Sequence, residues 1–242
     1  MFSNVGANNT GFERSCTWVP DKERCWIMSD LELWNSILAR DNIELLEHVW
    51  GELKLQGYEG SVNSSEHQDV LRASFLIHLL LRQHRCVTYI ILDMTTTVLE
   101  RSVLLHGIRT GAAGVKLLEI KSPSFDKLTA AENTWSRAAA SLKNLVHLCI
   151  FNAYFSAEIA HTLGVYVEQA NVLTTLLLVD IKHVFILVQL NGSLAYCPSV
   201  LLESVVQSRT LTVIIVHKCL IRANDIYDMA AALDAVFSAS HA

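Results

Sequence analysis

Five short runs of the sequence decide the fold: VTYIILD (residues 87–93), VKLLEIK (115–121), LVHLCIF (145–151), LTTLLLV (173–179) and LTVIIVH (211–217). In every run, positions one, four and six are occupied by Leu, Ile or Val. The runs begin 28, 30, 28 and 38 residues apart. A stride of this size predicts a stacked array of repeats, with an insertion of about ten residues in the last interval.

A further position supports the same register. The residue ten places before each run is apolar in every case: Ile77, Leu105, Trp135, Leu163 and Leu201. The segments between the runs carry helix N-terminus signals, namely the capping boxes Ser65 to Gln68 and Thr129 to Glu132 and the N-caps Ser156 and Asn224. Each repeat is therefore predicted to be a short strand, a turn and a helix of three or four turns.

The residues before the first run are organised differently. Residues 1–28 show no period and are expected to be irregular. Ser29 to Glu32 and Asp41 to Glu44 fit the capping-box pattern, which predicts two helices between residues 30 and 50. Trp50, Leu53 and Leu55 read as a degenerate run, so residues 29–86 are expected to form a helical flank that contains a degenerate repeat.

Residues 87–242 are expected to form an array of about five repeats. Its last helix is predicted at residues 225–237, and no polar cap for its apolar end follows in the sequence. A stacked array needs such a cap. We therefore expect either a continuation of the array or a partner to cover that end.

Composition excludes several classes of protein. Hydrophobic residues make up 51% of the chain and charged residues 18%, with only 3 Pro, which excludes a disordered or collagen-like chain. A net charge of −5 argues against binding to nucleic acid or to an anionic membrane. The most apolar stretch, residues 172–190, contains Asp180, Lys182 and His183, which argues against a membrane span. The first 15 residues lack the features of an export signal, so a cytoplasmic location is expected.

The pattern L-x-x-L-x-L followed by a helix, at a stride of about 28 residues, resembles the ribonuclease-inhibitor class of leucine-rich repeats. The resemblance covers residues 50–242 and implies a right-handed solenoid with parallel strands on the concave side and helices on the convex side. Immune-receptor sensor regions and F-box substrate receptors of ubiquitin ligases contain this repeat. Its ninth position, usually Asn or Cys, departs from the family in all units except the last: Thr95, Pro123, Ala153, Ile181 and Cys219.

Positions three, five and seven of the runs predict a binding surface. Alternate residues of a strand face opposite sides, so these positions point away from the helices. Most of them are apolar or aromatic, and an exposed apolar patch normally marks a binding site. We therefore expect a non-catalytic module, without a cofactor, that binds a protein or peptide. The predicted partner-binding residues are Tyr89, Ile91, Leu117, Glu119, His147, Phe151, Leu177, Val179, Ile215 and His217.

An α/β enzyme is the alternative. Continuous apolar strands are also typical of a parallel sheet covered on both faces, in which ligands bind at the carboxyl ends of the strands. The catalytic candidates would then be Asp93, Asn152, Asp180 and His217. The nucleotide-binding and hydrolase motifs are absent, and the glycines of residues 107–114 precede a strand, which indicates a helix exit with Gly111 or Gly114 relaxing the turn.

The sequence predicts no metal site. Cysteines at positions 16, 25, 86, 149, 197 and 219 contain no C-x-x-C pair and are expected to be buried thiols. His147 and His217 share the predicted binding surface two repeats apart, roughly 10 Å, which is too far for one zinc ion. Arg82, His84 and Arg85 are expected to cap the C-terminus of the helix before the first run.

Overall fold

The computed structural model describes residues 15–58, 67–93, 98–121, 133–153, 155–181, 186–190, 193–197 and 200–219. The chain begins there with a 3-10 helix (Trp26–Asp30), α1 (Leu31–Leu38), a second 3-10 helix (Ala39–Asp41), β1 (Ile43–Val49) and β2 (Glu52–Gly57). Helices and strands then alternate: α2 (His67–Gln83), β3 (Val87–Asp93), α3 (Val98–Gly111), β4 (Leu117–Lys121), α4 (Asn133–Ala140), β5 (His147–Phe151), α5 (Ala157–Gln169) and β6 (Thr175–Val179). The last elements described are β7 (Ile186–Leu190), β8 (Ser193–Cys197), α6 (Val200–Gln207) and β9 (Val213–His217).

A seven-stranded, mostly parallel sheet runs through the described residues. Its strand order is β1-β2-β3-β4-β5-β6-β9, and only the β1–β2 pair is antiparallel. Equal positions of successive runs lie side by side, so that position four forms one row across the sheet: Ile90, Leu118, Leu148, Leu176 and Ile214. The pairing register predicted from the sequence is confirmed.

The inward positions of the strands and one side of every described helix form one hydrophobic core. Positions one, four and six of the first four runs are at most 1% exposed. Helices α1 to α6 all contribute buried residues to the same cluster. The five apolar residues ten places before the runs are buried in α2 to α6: Ile77, Leu105, Trp135, Leu163 and Leu201. The described helices therefore pack on the inward face of the sheet.

The turn after each strand repeats in the last three units. Asn152, Asp180 and Lys218 occupy position eight, and each has a φ of 53°. The Asn152 amide donates to the carbonyl of Val179 at 2.9 Å, and the Asp180 amide donates to that of His217 at 2.8 Å. Backbone hydrogen bonds thus join the first two of these turns to the next strand of the sheet.

The ninth position of the run is apolar in two units that lack the Asn or Cys usual in leucine-rich repeats. Ala153 and Ile181 are buried. In the last unit this position is Cys219, whose thiol lies 3.6 Å from the Leu178 carbonyl of the preceding unit. Thr95 and Pro123 lie outside the described residues.

The predicted helical flank is wrong in its second half. After α1 and Asp41 the chain becomes strand β1 and not a second helix. Asn42 ends the helical segment with a φ of 53°, and buried Ile43 and Leu45 alternate with less buried neighbours. A two-residue alternation of this kind favours a strand over the helix suggested by the capping pattern. Ser29 also makes no cap, because it lies inside the first 3-10 helix.

The degenerate run is strand β2, but its register differs from the prediction. Leu53 and Leu55 are buried as expected. Leu55 pairs with Ile90, which is position four of its run and not position six. Trp50 is 52% exposed and lies in the turn before β2. The register of β2 against β3 therefore follows the hairpin geometry of β1 and β2 more closely than it follows the register of the repeat.

A side chain from α1 covers the outer edge of β1. The Asn35 side-chain amide donates to the Leu45 carbonyl at 2.9 Å, and the Leu45 amide donates to Asn35 Oδ1 at 2.7 Å. One asparagine thus satisfies both backbone groups of Leu45, as a neighbouring strand would.

The inserted segment of the fourth unit contains a β-hairpin. Strands β7 and β8 pair antiparallel from Ile186 opposite Cys197 to Leu190 opposite Ser193. The sequence between them is Asn191-Gly192, the dipeptide most typical of two-residue hairpin turns. The insertion therefore adds a small second sheet and leaves the pairing of β6 with β9 intact.

Of the predicted N-caps, Ser156 is confirmed, because its Oγ accepts a hydrogen bond from the Ile159 amide at 3.2 Å. Ser65, residues 129–132, Asn224 and the helix predicted at 225–237 lie outside the described residues. The described parts of helices α4 and α6 have 8 residues each, and the residues directly before them lie outside the described part of the chain. None of the described helices combines the length and the hydropathy needed to cross a bilayer.

Two glycines let the exit of α3 approach the loop between α2 and β3. A Cβ atom on Gly114 would lie 2.2 Å from the Arg85 carbonyl oxygen, and one on Gly111 would lie 2.6 Å from Arg82 Cα. Neither glycine has a positive φ. The close approach of two backbones, and not the relaxed turn predicted from the sequence, is what requires glycine here.

We expect Gly114→Ala to lower the free energy of unfolding by about 1–3 kcal/mol, because the added methyl group overlaps backbone atoms that cannot move independently. Urea denaturation followed by circular dichroism measures this. Gly57→Ala is the matched control, since its Cβ would come no nearer than 3.9 Å to another atom. Equal stability of the two variants would contradict the close approach.

Candidate functional site

Positions three, five and seven of β3, β4, β5, β6 and β9 form one surface, which we call the outward face. The pairing register arranges it in three rows across the strands. The rows are Tyr89, Leu117, His147, Thr175 and Val213 (position three); Ile91, Glu119, Cys149, Leu177 and Ile215 (position five); and Asp93, Lys121, Phe151, Val179 and His217 (position seven). All ten predicted partner-binding residues lie in these rows.

The outward face is accessible, in contrast to the inward positions of the same strands. Its side chains on β3 to β6 are half-buried, and Lys121 is exposed. On β9, Val213 is 44% exposed and Ile215 is 47% exposed.

The end of the outward face nearest β3 is polar and internally paired. The Tyr89 hydroxyl donates to Glu119 Oε2 at 2.6 Å, and Lys121 Nζ lies 3.1 Å from Glu119 Oε1. On the next strand, β2, Lys54 Nζ lies 5.7 Å from the centre of the Tyr89 ring, a cation–π distance. The His48 ring of β1 meets the same ring edge-on at 5.5 Å.

Two groups of this face, the Cys149 thiol and the Tyr89 hydroxyl, stay uncharged at neutral pH. Burial and, secondarily, the Glu119 carboxylate raise the pKa of Cys149 to about 11. Burial and the hydrogen bond to Glu119 also raise the pKa of the Tyr89 hydroxyl above its usual value. The Cys149 thiol is therefore a poor nucleophile, because the thiolate is the reactive form.

The other end of the outward face, on β5, β6 and β9, is mainly apolar. Its members lie in adjacent positions of adjacent strands: Cys149, Phe151, Leu177, Val179, Val213 and Ile215. Thr175, His147 and His217 border this patch in the first and last rows. A patch of aromatic and aliphatic side chains with a polar border is the usual anatomy of a protein-binding surface.

The four residues of the enzyme alternative do not converge. Asp93 and His217 occupy the same row on β3 and β9, four strands apart, which corresponds to about 19 Å. Asn152 and Asp180 sit in the left-handed turns between these ends. The four residues thus follow the edge of the sheet one after another.

The two outward histidines are farther apart than the sequence estimate. His147 is at position three and His217 at position seven, so they lie in different rows. An offset of four residues adds about 13 Å along the strand direction to the two strand steps between them. The conclusion that they cannot share a zinc ion is unchanged.

A second group of side chains was not predicted from the sequence. It lies beside the start of β3 and consists of Cys16, Cys25, His84 and Cys86. One potential ligand atom of each residue lies within 4.8 Å of the others. In the sequence these residues form a C-x8-C pattern and, later in the chain, an H-x-C pattern. A search for C-x-x-C pairs does not detect either pattern. The sequence predicted that His84 caps α2. Instead, His84 is buried in this group.

The other two members of the predicted basic cap have separate roles. Arg82 lies in the last turn of α2. The Arg85 side chain donates to the Trp18 carbonyl at 2.9 Å, which fastens the N-terminal segment to the loop before β3. Of the three, only Arg82 lies within the last turn of α2, where a positive charge complements the helix dipole.

The chain matches no protein-family model and no curated protein sequence.

Proposed function

We propose that this chain is a leucine-rich-repeat protein of the ribonuclease-inhibitor class whose outward face binds a polypeptide segment without catalysis. The architecture is supported by the equal register of five parallel strands and by the helices packed on one face of the sheet. A parallel strand–helix–strand unit is almost always right-handed. Repetition of that unit makes a right-handed solenoid, with the outward face on its concave side.

The single observation that carries the binding proposal is the apolar patch around Phe151, Leu177, Val179 and Ile215. These side chains lie on the solvent-accessible face of a sheet whose other face already supplies the core. Apolar side chains on accessible surface gain free energy when a partner removes them from water. The patch is therefore better explained by a partner than by folding.

The dimensions and polarity of the face define the partner. Five strands about 4.8 Å apart span about 19 Å, which accommodates one helix or one extended segment. The occupant we propose is a peptide segment that places two or more large apolar side chains on the patch, because such anchors dominate binding energy. Glu119 and Lys121 already pair with each other, so they contribute a polar border rather than the main affinity.

The α/β enzyme stays the alternative hypothesis. Its candidates Asp93, Asn152, Asp180 and His217 are spread along the sheet edge, so one small substrate could not contact all four. A distribution of this kind suits a row of turns better than a catalytic centre.

Selection from a displayed library of random peptides, with the full chain as bait, tests the proposal. We expect the selected peptides to be rich in large apolar residues. We also expect the double variant Phe151→Asp, Leu177→Asp to bind them at least about a hundredfold more weakly, because two anchors of about 2 kcal/mol or more are lost. Fluorescence anisotropy with a labelled selected peptide measures the affinity.

The double variant Leu71→Asp, Phe75→Asp is the matched control. Leu71 and Phe75 are 49% and 64% exposed on α2, so the control adds the same charges on the helical side. Circular dichroism shows whether each variant stays folded. Equal loss of binding in both variants would contradict the proposed site, and unfolding of the Phe151 and Leu177 variant alone would show that these side chains are core.

A further inference from the structure

The group of Cys16, Cys25, His84 and Cys86 has the geometry of a binding site for one ion. One potential ligand atom of each residue lies within 4.8 Å of all the others. Within the group, Cys25 Sγ and His84 Nδ1 lie 3.3 Å apart. Among the described residues, this is where three or more Cys, His, Asp or Glu side chains converge in this way.

Two separate parts of the chain supply the four side chains. Cys16 and Cys25 flank a tight loop that is closed by a β-bridge between Val19 and Glu23. His84 and Cys86 lie between the end of α2 and the start of β3. The two parts meet by tertiary contact, since 59 residues separate Cys25 from His84.

The group is buried yet reachable. Cys25, His84 and Cys86 are at most 1% exposed, whereas Cys16 is partly exposed. Cys16 also lines a surface cleft together with Ser15, Arg82, Gln83 and Arg85. An ion could therefore enter beside Cys16 and be enclosed by the other three residues.

We propose that Cys16, Cys25, His84 and Cys86 bind one Zn²⁺ ion in a closed tetrahedral site with a structural role. Three thiolates and one imidazole are a ligand set typical of structural zinc. Zinc–sulfur bonds of about 2.3 Å in a tetrahedron place neighbouring sulfur atoms about 3.8 Å apart. The spacing of the group, within 4.8 Å, is close to that figure, so small side-chain movements complete the coordination.

The ion is structural and not catalytic, because four protein ligands leave no position for water or substrate. A zinc ion bound to His84 Nδ1, the ring atom directed at the thiols, would leave the ring proton on Nε2. The imidazole is held in place by Trp26, whose ring centre lies 5.3 Å away, and by Trp34 at 6.3 Å. Packing by two indole rings thus fixes the orientation of the ligand.

The site explains how an irregular segment is held on a regular array. Residues 15–25 contain no helix and only the Val19–Glu23 bridge. A zinc ion would join this segment to the loop in front of β3. This inference does not depend on the outward face or on its partner.

Two alternative roles of these cysteines can be distinguished from zinc binding. A disulfide would join two sulfur atoms at about 2.05 Å and leave the third thiol and His84 without a function. An iron–sulfur cluster holds two or more iron atoms and would colour the protein. The test separates these outcomes from zinc.

The test measures metal content in the full chain, expressed in zinc-supplemented medium and purified with a non-thiol reductant. We expect one zinc ion per chain by elemental mass spectrometry. After replacement by Co²⁺, we expect the intense visible absorption of a tetrahedral cobalt–thiolate complex. We also expect a strong chelator to lower the thermal midpoint of the chain, because metal binding and folding are linked.

Cys25→Ser and Cys86→Ser should each lose at least about nine-tenths of the bound zinc, since a structural site needs all its thiolates. Cys149→Ser and Cys219→Ser are matched controls, because both residues are partly exposed thiols outside the group and should keep one zinc per chain. If a ligand variant fails to fold, the metal content and the cobalt spectrum of the unaltered chain still decide.

Three results would overturn the proposal. The first is a folded chain with less than about a tenth of an equivalent of zinc after supplementation. The second is a disulfide among Cys16, Cys25 and Cys86 in peptide maps of the protein isolated with its free thiols blocked. The third is an equal loss of zinc in the control variants.

Discussion

Leu148→Ala is expected to lower the free energy of unfolding by about 2–5 kcal/mol. Leu148 lies at position four of β5, is 0% exposed, and has Leu118 and Leu176 beside it in the same row. Truncation removes buried methyl groups from the middle of the core and leaves a cavity that neighbouring strands cannot close. Urea denaturation of the purified chain measures the loss.

Leu177→Ala is the matched control on the adjacent strand. Leu177 is half-buried on the outward face, so we expect a loss of about 1 kcal/mol or less. The comparison tests whether the sheet is covered on one side. Equal losses for the two variants would mean that the outward face is as well packed as the core.

A second large effect is expected from Phe155→Ala, which should cost about 3–5 kcal/mol. Phe155 is 2% exposed and its ring centre lies 6.2 Å from that of Trp135 on α4. It precedes Ser156, the N-cap of α5, so its packing fixes the point at which that helix leaves the preceding turn. The loss is measured as a shift of the urea midpoint.

Phe75→Ala provides the same chemical change on the surface. Phe75 is 64% exposed on α2, and we expect its removal to change stability by no more than about 0.5 kcal/mol. Similar midpoints for the two phenylalanine variants would show that Phe155 is not a core residue.

The repeated part of the fold could be predicted from the sequence because its physical constraint is repeated. Positions one, four and six of the first four units must be aliphatic, since they fill the same buried space between sheet and helices. Alternation along a strand then predicts that Leu117 and Leu177 face the other way, as they do. The identity of the partner has no such repeated signature.

The N-terminal region could not be predicted with the same argument because it occurs once. The capping pattern at Asp41 suggested a helix, but burial of Ile43 and Leu45 beside β2 favoured a strand. Tertiary packing outweighs a local pattern worth about 1 kcal/mol. By contrast, the hairpin of the insertion had a local signal in Asn191-Gly192 that a closer reading of the turn chemistry detects.

The group of Cys16, Cys25, His84 and Cys86 was missed for a different reason. Its two halves are far apart in sequence and each half is too short to be a motif. Only the packing of the segment that contains Trp18 and Trp26 against the loop before β3 brings them together. The cysteines were predicted to be separate thiols, because the spacing of residues along the chain does not show which of them lie close together in the fold.

The asparagine on α1 has a consequence for the behaviour of the protein at high concentration. An unpaired edge strand invites the strand of a second molecule to add to it, which is a common start of aggregation. At Leu45, such an incoming strand would first have to displace the Asn35 amide from both backbone groups. Glu44 on the same strand adds charge that opposes stacking of identical edges, whereas the Glu47 carboxylate is paired with Arg24. This end of the sheet is thereby protected against self-association.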